Sequence, residues 1–167
     1  MTFRVLLTAL LLSLTVSVVN AQDSSSDMMS DMMMETPAGL VSVASSFNMD
    51  ETQARLELAI SEAGLNLVFM LDHAANAERV DLELRPTRLF LFGNPNVGTP
   101  LMQGAQSIAI DLPQKMLIWE AEDGQVYVGY NDPMYLAARH GLTGQDMRLG
   151  NIANALANLA NAATQAE

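Results

Sequence analysis

The chain has 167 residues, 19 acidic side chains against 8 lysines and arginines, a net charge of −11, and no cysteine. The missing thiols exclude cysteine catalysis, iron–sulfur clusters, thioether-linked haem, cysteine zinc sites and disulfide staples, so stability must come from packing. The acidic field repels nucleic acid and anionic membrane surfaces.

Residues 1–21 read as a secretory signal. Arg4 supplies the positive start, residues 5–19 are apolar apart from scattered Thr and Ser, and Val19-Asn20-Ala21 offers small side chains to a signal peptidase, with the cut expected after Ala21. The run is short for a membrane span, which needs about 20 apolar residues, and Gln22, Asp23 and three serines follow. The expected location is therefore periplasmic or secreted, with no membrane attachment after cleavage.

Residues 22–38 have the composition of a disordered, acidic, Met-rich linker. Asp27, Asp31 and Glu35 recur at four-residue spacing, which sets like charges together in a helix and disfavours it. Met28, Met29, Met32, Met33 and Met34 crowd five thioethers into the same stretch. Thioether sulfur is a soft ligand that survives in an oxidising compartment, so the cluster is a candidate Cu(I) site. An unconstrained tail or a sacrificial oxidation surface accounts for the same composition.

A single domain is expected over residues 39–167. Residues 40–47 form a β-rich run, and Asn48 with Glu51 resembles a capping box for a helix that buries Thr52, Leu56 and Ile60 and stops at Gly64. Residues 65–71 read as a buried strand. Residues 74–84 read as a helical turn and then an extended piece, and residues 87–92 as another strand. Residues 93–98 are a turn-rich loop, with a short helix starting at Thr99-Pro100. Asp123-Gly124 suits a two-residue hairpin turn, which sets Trp119 opposite Val128 and Leu117 opposite Tyr130, all facing the core. Asp132-Pro133 opens a helix that ends before Gly141, and Thr143 caps a C-terminal helix carrying Leu149, Ile152, Leu156 and Leu159 inward. The opposite face of that helix shows Asn151, Asn154, Asn158 and Asn161, a neutral surface that is either solvated or a packed contact. The pattern gives an α+β fold: an antiparallel sheet with helices on one face, plus a C-terminal helical extension from about residue 143.

Four motifs in order carry a family resemblance. They are Phe90-Leu91-Phe92-Gly93-Asn94-Pro95, Gly98-Thr99-Pro100-Leu101-Met102 leading to Asp111-Leu112-Pro113, Leu117-Ile118-Trp119-Glu120, and Val128-Gly129-Tyr130-Asn131-Asp132-Pro133. Over about residues 39–142 the chain resembles the bacterial and archaeal family catalogued as domain of unknown function 302. The resemblance implies a small TATA-binding-protein-like α+β domain, often a homodimer, with a histidine near position 73 and no established reaction. The acidic tail and the Ala- and Asn-rich last helix depart from it.

The candidate ligand-binding residues are His73, Asp72 and Asn94. Asp72 could orient His73 as a metal or haem ligand, or tune it as a base. Asn94 lies in a glycine-flanked loop that lacks GxGxxG spacing and a Walker lysine, which favours a simple turn. His140 reads as a partner for the free carbonyls at its helix end, and Arg79, Arg85 and Arg88 as partners for Glu78, Asp81 and Glu83. No GxSxG elbow is present. The preferred reading is a non-enzymatic binding or interaction module that holds a small ligand, metal or haem and meets a second copy or an unknown protein. The alternatives are Cu(I) handling by the tail and an enzyme acting through His73.

Overall fold

The computed structural model describes residues 37–166. Five strands, β1 (Leu40–Ala44), β2 (Asn66–Asp72), β3 (Thr87–Gly93), β4 (Gln114–Glu120) and β5 (Val126–Asn131), form one sheet in the order β1-β5-β4-β3-β2. Every pairing is antiparallel. The helices are α1 (Met49–Glu62), α2 (His73–Glu78), α3 (Pro95–Gly104), α4 (Pro133–His140) and α5 (Asp146–Thr164), with a 3-10 turn over Gln106–Ile110. The α+β class with an antiparallel sheet and a C-terminal helix is as expected.

One face of the sheet is the core. Alternation along the strands sends Phe90, Phe92, Met116, Ile118, Val126, Val128 and Tyr130 toward α1 and α5, where Leu56, Ile60, Leu149, Ile152, Leu156 and Leu159 meet them. Burying each large apolar side chain contributes about 1.5–3 kcal/mol. α5 packs along α1, and the Arg55 guanidinium ties them by donating to the carbonyls of Ala162 and Gln165. Inside this face, the Ser45 and Thr52 hydroxyls bond each other at 2.7 Å, and Thr52 also donates to the Asn48 carbonyl.

Several local expectations hold at the level of single atoms. Asn48 Oδ1 accepts from the Glu51 N–H at 3.0 Å. Gly141 ends α4 in the left-handed region at φ 64°, where a side chain would strain the backbone.

The hairpin differs by one residue. Ile118, not Trp119, faces Val128, and Leu117 faces Gly129. Gly124 N–H donates to the Ala121 carbonyl and Ala121 N–H to the Gln125 carbonyl, with Gly124 at φ 84°. The loop is thus three residues long, a type I turn closed by a left-handed glycine, and the added residue flips every β4 side chain. Leu117 and Trp119 therefore point away from the core. Trp119 stacks on Tyr127 with ring centroids 5.3 Å apart, on the face that α1 and α5 leave uncovered.

Three other boundaries move. β2 is an edge strand, not a buried one: Leu67, Val68 and Phe69 are exposed at 41%, 64% and 54%, around an irregularity in its pairing with β3. The loop after β3 is already helix, because Asn94 caps it and Pro95 occupies the first turn, where a missing N–H costs nothing. α5 begins at Asp146 after Gln145, so Thr143 does not cap it.

Candidate ligand-binding site

The strand register sets Asn66 opposite Gly93 and Phe92 opposite Gln114, so one end of the sheet gathers the start of β2, the end of β3 and the start of β4. α3 leaves directly from β3, held by Asn94 Oδ1 accepting the Asn96 N–H at 2.9 Å. α5 runs past the same end. Between these segments lies a half-open cavity of about 540 Å³, inside the range of small-molecule sites. Its floor is core: Phe92, Leu101 and Leu156 are at most 2% exposed. Val68, Val97, Met102 and Ala155 build its apolar sides, and Asn66, Asn94, Thr99, Gln114 and Asn151 supply dispersed amide and hydroxyl groups. One ionisable side chain, Arg148, reaches the wall.

Asn94 belongs to this cavity. Asp72 and His73 do not: they lie at the far end of β2, six residues or about 20 Å from Asn66. The Asp72 carboxylate is occupied by the backbone, capping α2 through the Ala75 N–H at 2.9 Å and accepting from Arg88 Nε at 3.4 Å. The Ala75 N–H and the Arg88 guanidinium hold its carboxyl below the ordinary 3.8, against an opposing push from burial. Arg88 also donates to Asp50 Oδ1 at 2.9 Å and Gln53 Oε1 at 2.7 Å, so this cluster fastens β3 to α1. His73 is the first residue of α2, half-buried, with no side-chain hydrogen bond among the described residues. Arg79 bonds Asn76 and Arg85 bonds the Glu120 carbonyl, so none of the three arginines takes the acidic partners expected for it.

His140 bonds side chains, not helix carbonyls. Its Nε2 lies 2.6 Å from Asp111 Oδ2 and its Nδ1 3.0 Å from Ser107 Oγ, with the imidazole 7% exposed. Serine, histidine and aspartate thus meet, but the carboxylate sits on Nε2 and the serine on Nδ1, the reverse of a nucleophilic triad. The trio lies outside the cavity, where it pins the 3-10 turn to α4. The five methionines of the tail fall outside the described residues. Among the described residues, no group of three or more His, Asp or Glu side chains is arranged to hold a metal ion.

Sequence reasoning missed Arg148 and Ala155. A signal was present: Arg148, Asn151, Ala155 and Leu159 recur at three- and four-residue steps, one stripe of α5 graded from charged to apolar.

A family described as "Domain of unknown function DUF302" matches residues 41–164. Curated relatives named fluoride-specific ion channel FluC 1, in Brucella suis biovar 1 (strain 1330) and Brucella abortus biovar 1 (strain 9-941), are each 43% identical over 105 residues. That stretch is 63% of this chain and 41% and 39% of theirs, so the chain spans about two-fifths of those relatives. Among the described residues, no helix is long and apolar enough to cross a membrane. A crystal structure of an uncharacterized conserved DUF302 protein from Bacillus stearothermophilus superposes with a TM-score of 0.69 at 18% identity, over 75% of this chain and 98% of that one. The likeness is one of fold.

Proposed function

The chain belongs to the DUF302 family, whose description names no function, and from that premise we propose that it is an exported, non-enzymatic binding module whose ligand occupies the cavity between β2, β3, α3 and α5. The observation that carries this is the cavity itself: about 540 Å³, floored by core side chains and edged by a few dispersed polar groups. An apolar floor supplies affinity through area removed from water, and scattered amides orient what binds. Channel activity belongs to the name of relatives more than twice as long as the matched stretch, and is not part of this proposal.

The test uses the mature chain, recovered after export through its own signal and checked by intact mass for a start at Gln22. Nile red, a neutral solvatochromic dye, is titrated in. Saturable blue-shifted emission is expected, and Ala155→Trp, which fills the groove from an exposed helix position, is expected to weaken it at least tenfold. Binding unchanged by Ala155→Trp, or no saturable binding, refutes the reading.

A second copy is the proposed protein partner. The uncovered sheet face carries Leu89, Leu91, Leu117, Trp119 and Tyr127, and at its β2 margin Phe69 is exposed. Val80, Leu82 and Leu84 lie exposed in the segment between α2 and β3. Half-buried and exposed apolar groups beside an unpaired strand edge favour association.

A further inference from the structure

The cavity is largely apolar, and its one charge runs against the rest of the molecule. Arg148 is the one ionisable side chain in its wall, in a chain with 19 acids and 8 bases. Its Nε donates to Gln145 Oε1 at 3.1 Å. The two Nη nitrogens make no hydrogen bond or ion pair to any described residue, unlike those of Arg55, Arg79, Arg88 and Arg139; Arg85, which bonds through Nε alone, shares this but does not line the cavity. One helical turn on, Asn151 adds an amide, and Ile152, Ala155, Leu156 and Leu159 continue the wall as aliphatic surface.

We propose that the ligand is a free medium-chain carboxylic acid, with its carboxylate on Arg148 and Asn151 and its chain lying along α5 toward Leu159. This rests on the binding reading above and adds the ligand's class. A planar guanidinium with both Nη groups available matches a carboxylate through two parallel hydrogen bonds, and low local polarity strengthens them. From residue 148 to residue 159 the helix rises about 16 Å. An extended chain advances roughly 1.3 Å per C–C bond of about 1.5 Å, so about thirteen carbons cover the whole span, and a ten-carbon acid, about 12 Å long, covers most of it. The remaining polar groups of the wall are neutral, so a second charge on the ligand has no partner there.

The experiment compares head groups on one chain length, using the full mature protein. Decanoate, decan-1-ol and decyltrimethylammonium compete with Nile red at pH 7, and isothermal titration follows decanoate directly. Decanoate is expected to bind at least tenfold more tightly than decanol, with the cation weakest. Arg148→Gln should remove that advantage, bringing decanoate affinity down to about that of decanol, while Arg148→Lys should restore part of it. Equal affinity for decanoate and decanol, or indifference to Arg148→Gln while Nile red still binds, overturns the head-group assignment and leaves the cavity reading standing. Absence of Nile red binding removes both. Flotation with phosphatidylglycerol vesicles separates a free acid from a lipid surface: the protein is expected to stay in the bottom fraction, and co-flotation would overturn the free-ligand assignment.

Discussion

Gly129 is the position at which the sheet's outer face can be tested most sharply. It lies in β5 opposite Leu117, and a Cβ placed on it would stand 2.8 and 3.1 Å from the Trp119 ring and 3.3 Å from the Val41 carbonyl oxygen. Relaxed carbon contacts lie at about 3.5–4.0 Å, so Gly129→Ala must push the indole by up to about 1 Å. That motion disturbs the stack on Tyr127, while the β1 backbone blocks retreat on the other side. Overpacking of this kind costs about 1–3 kcal/mol. The backbone at Gly129 is not left-handed, so loss of unfolded-state freedom returns about 0.4–1 kcal/mol, leaving a net destabilisation of about 1–2 kcal/mol. With a urea slope of about 2 kcal/mol/M, the midpoint should fall by about 0.5–1 M. Far-UV circular dichroism reads the transition in all variants, and Trp119, the sole tryptophan, reports the local change. In a Trp119→Leu background the obstruction is gone, and Gly129→Ala should then be neutral or stabilising. An equal loss in both backgrounds would show that the ring contact is not the cause.

Two further outcomes follow from the same geometry. Asp72 has its carboxyl lowered from 3.8 by the Ala75 N–H and Arg88, so it adds stability that is complete above that value and is lost as pH falls through the folded one. Asp72→Asn should lower the thermal midpoint near neutrality and converge with the parent at strongly acidic pH; parallel profiles across pH 2–7 would contradict the assignment. Phe69→Glu places a charge in the exposed apolar margin of the sheet, and light scattering after size exclusion should show the parent as a dimer and the variant as a monomer with an unchanged fold. A monomeric parent would remove the second-copy proposal.

The readable parts of this fold are those written in adjacent residues. Asn48 three positions before Glu51, Asp132 before Pro133, and Gly141 after an apolar helix each fix an element end through a bond formed within a few residues. The β4–β5 register was less legible because two turn solutions share the Asp123-Gly124 pair and differ by one residue in loop length. Choosing between them required knowing that Ile118, not Trp119, packs against the helices. β2 shows the same limit: seven mostly apolar residues describe a strand without saying whether it lies inside the sheet or at its edge.

The site was hidden for a related reason. Sequence motifs draw attention to residues rich in chemistry, and here those residues are spent on architecture: Asp72 caps α2 and holds Arg88, and His140 with Asp111 and Ser107 pins a turn. Each has its polar atoms satisfied by protein. The cavity is instead built from four separated segments of ordinary core residues, and its distinguishing mark is a cation whose Nη groups find no acceptor among the described residues. A half-buried guanidinium gains from a charged acceptor and loses when left to imperfect solvation. That imbalance separates Arg148 from Arg88, which carries three side-chain partners and has nothing left to offer a ligand. Among the described residues, a cation with free Nη groups in the wall of a largely apolar groove, and not the richest cluster of titratable groups, marks where binding energy remains to be gained.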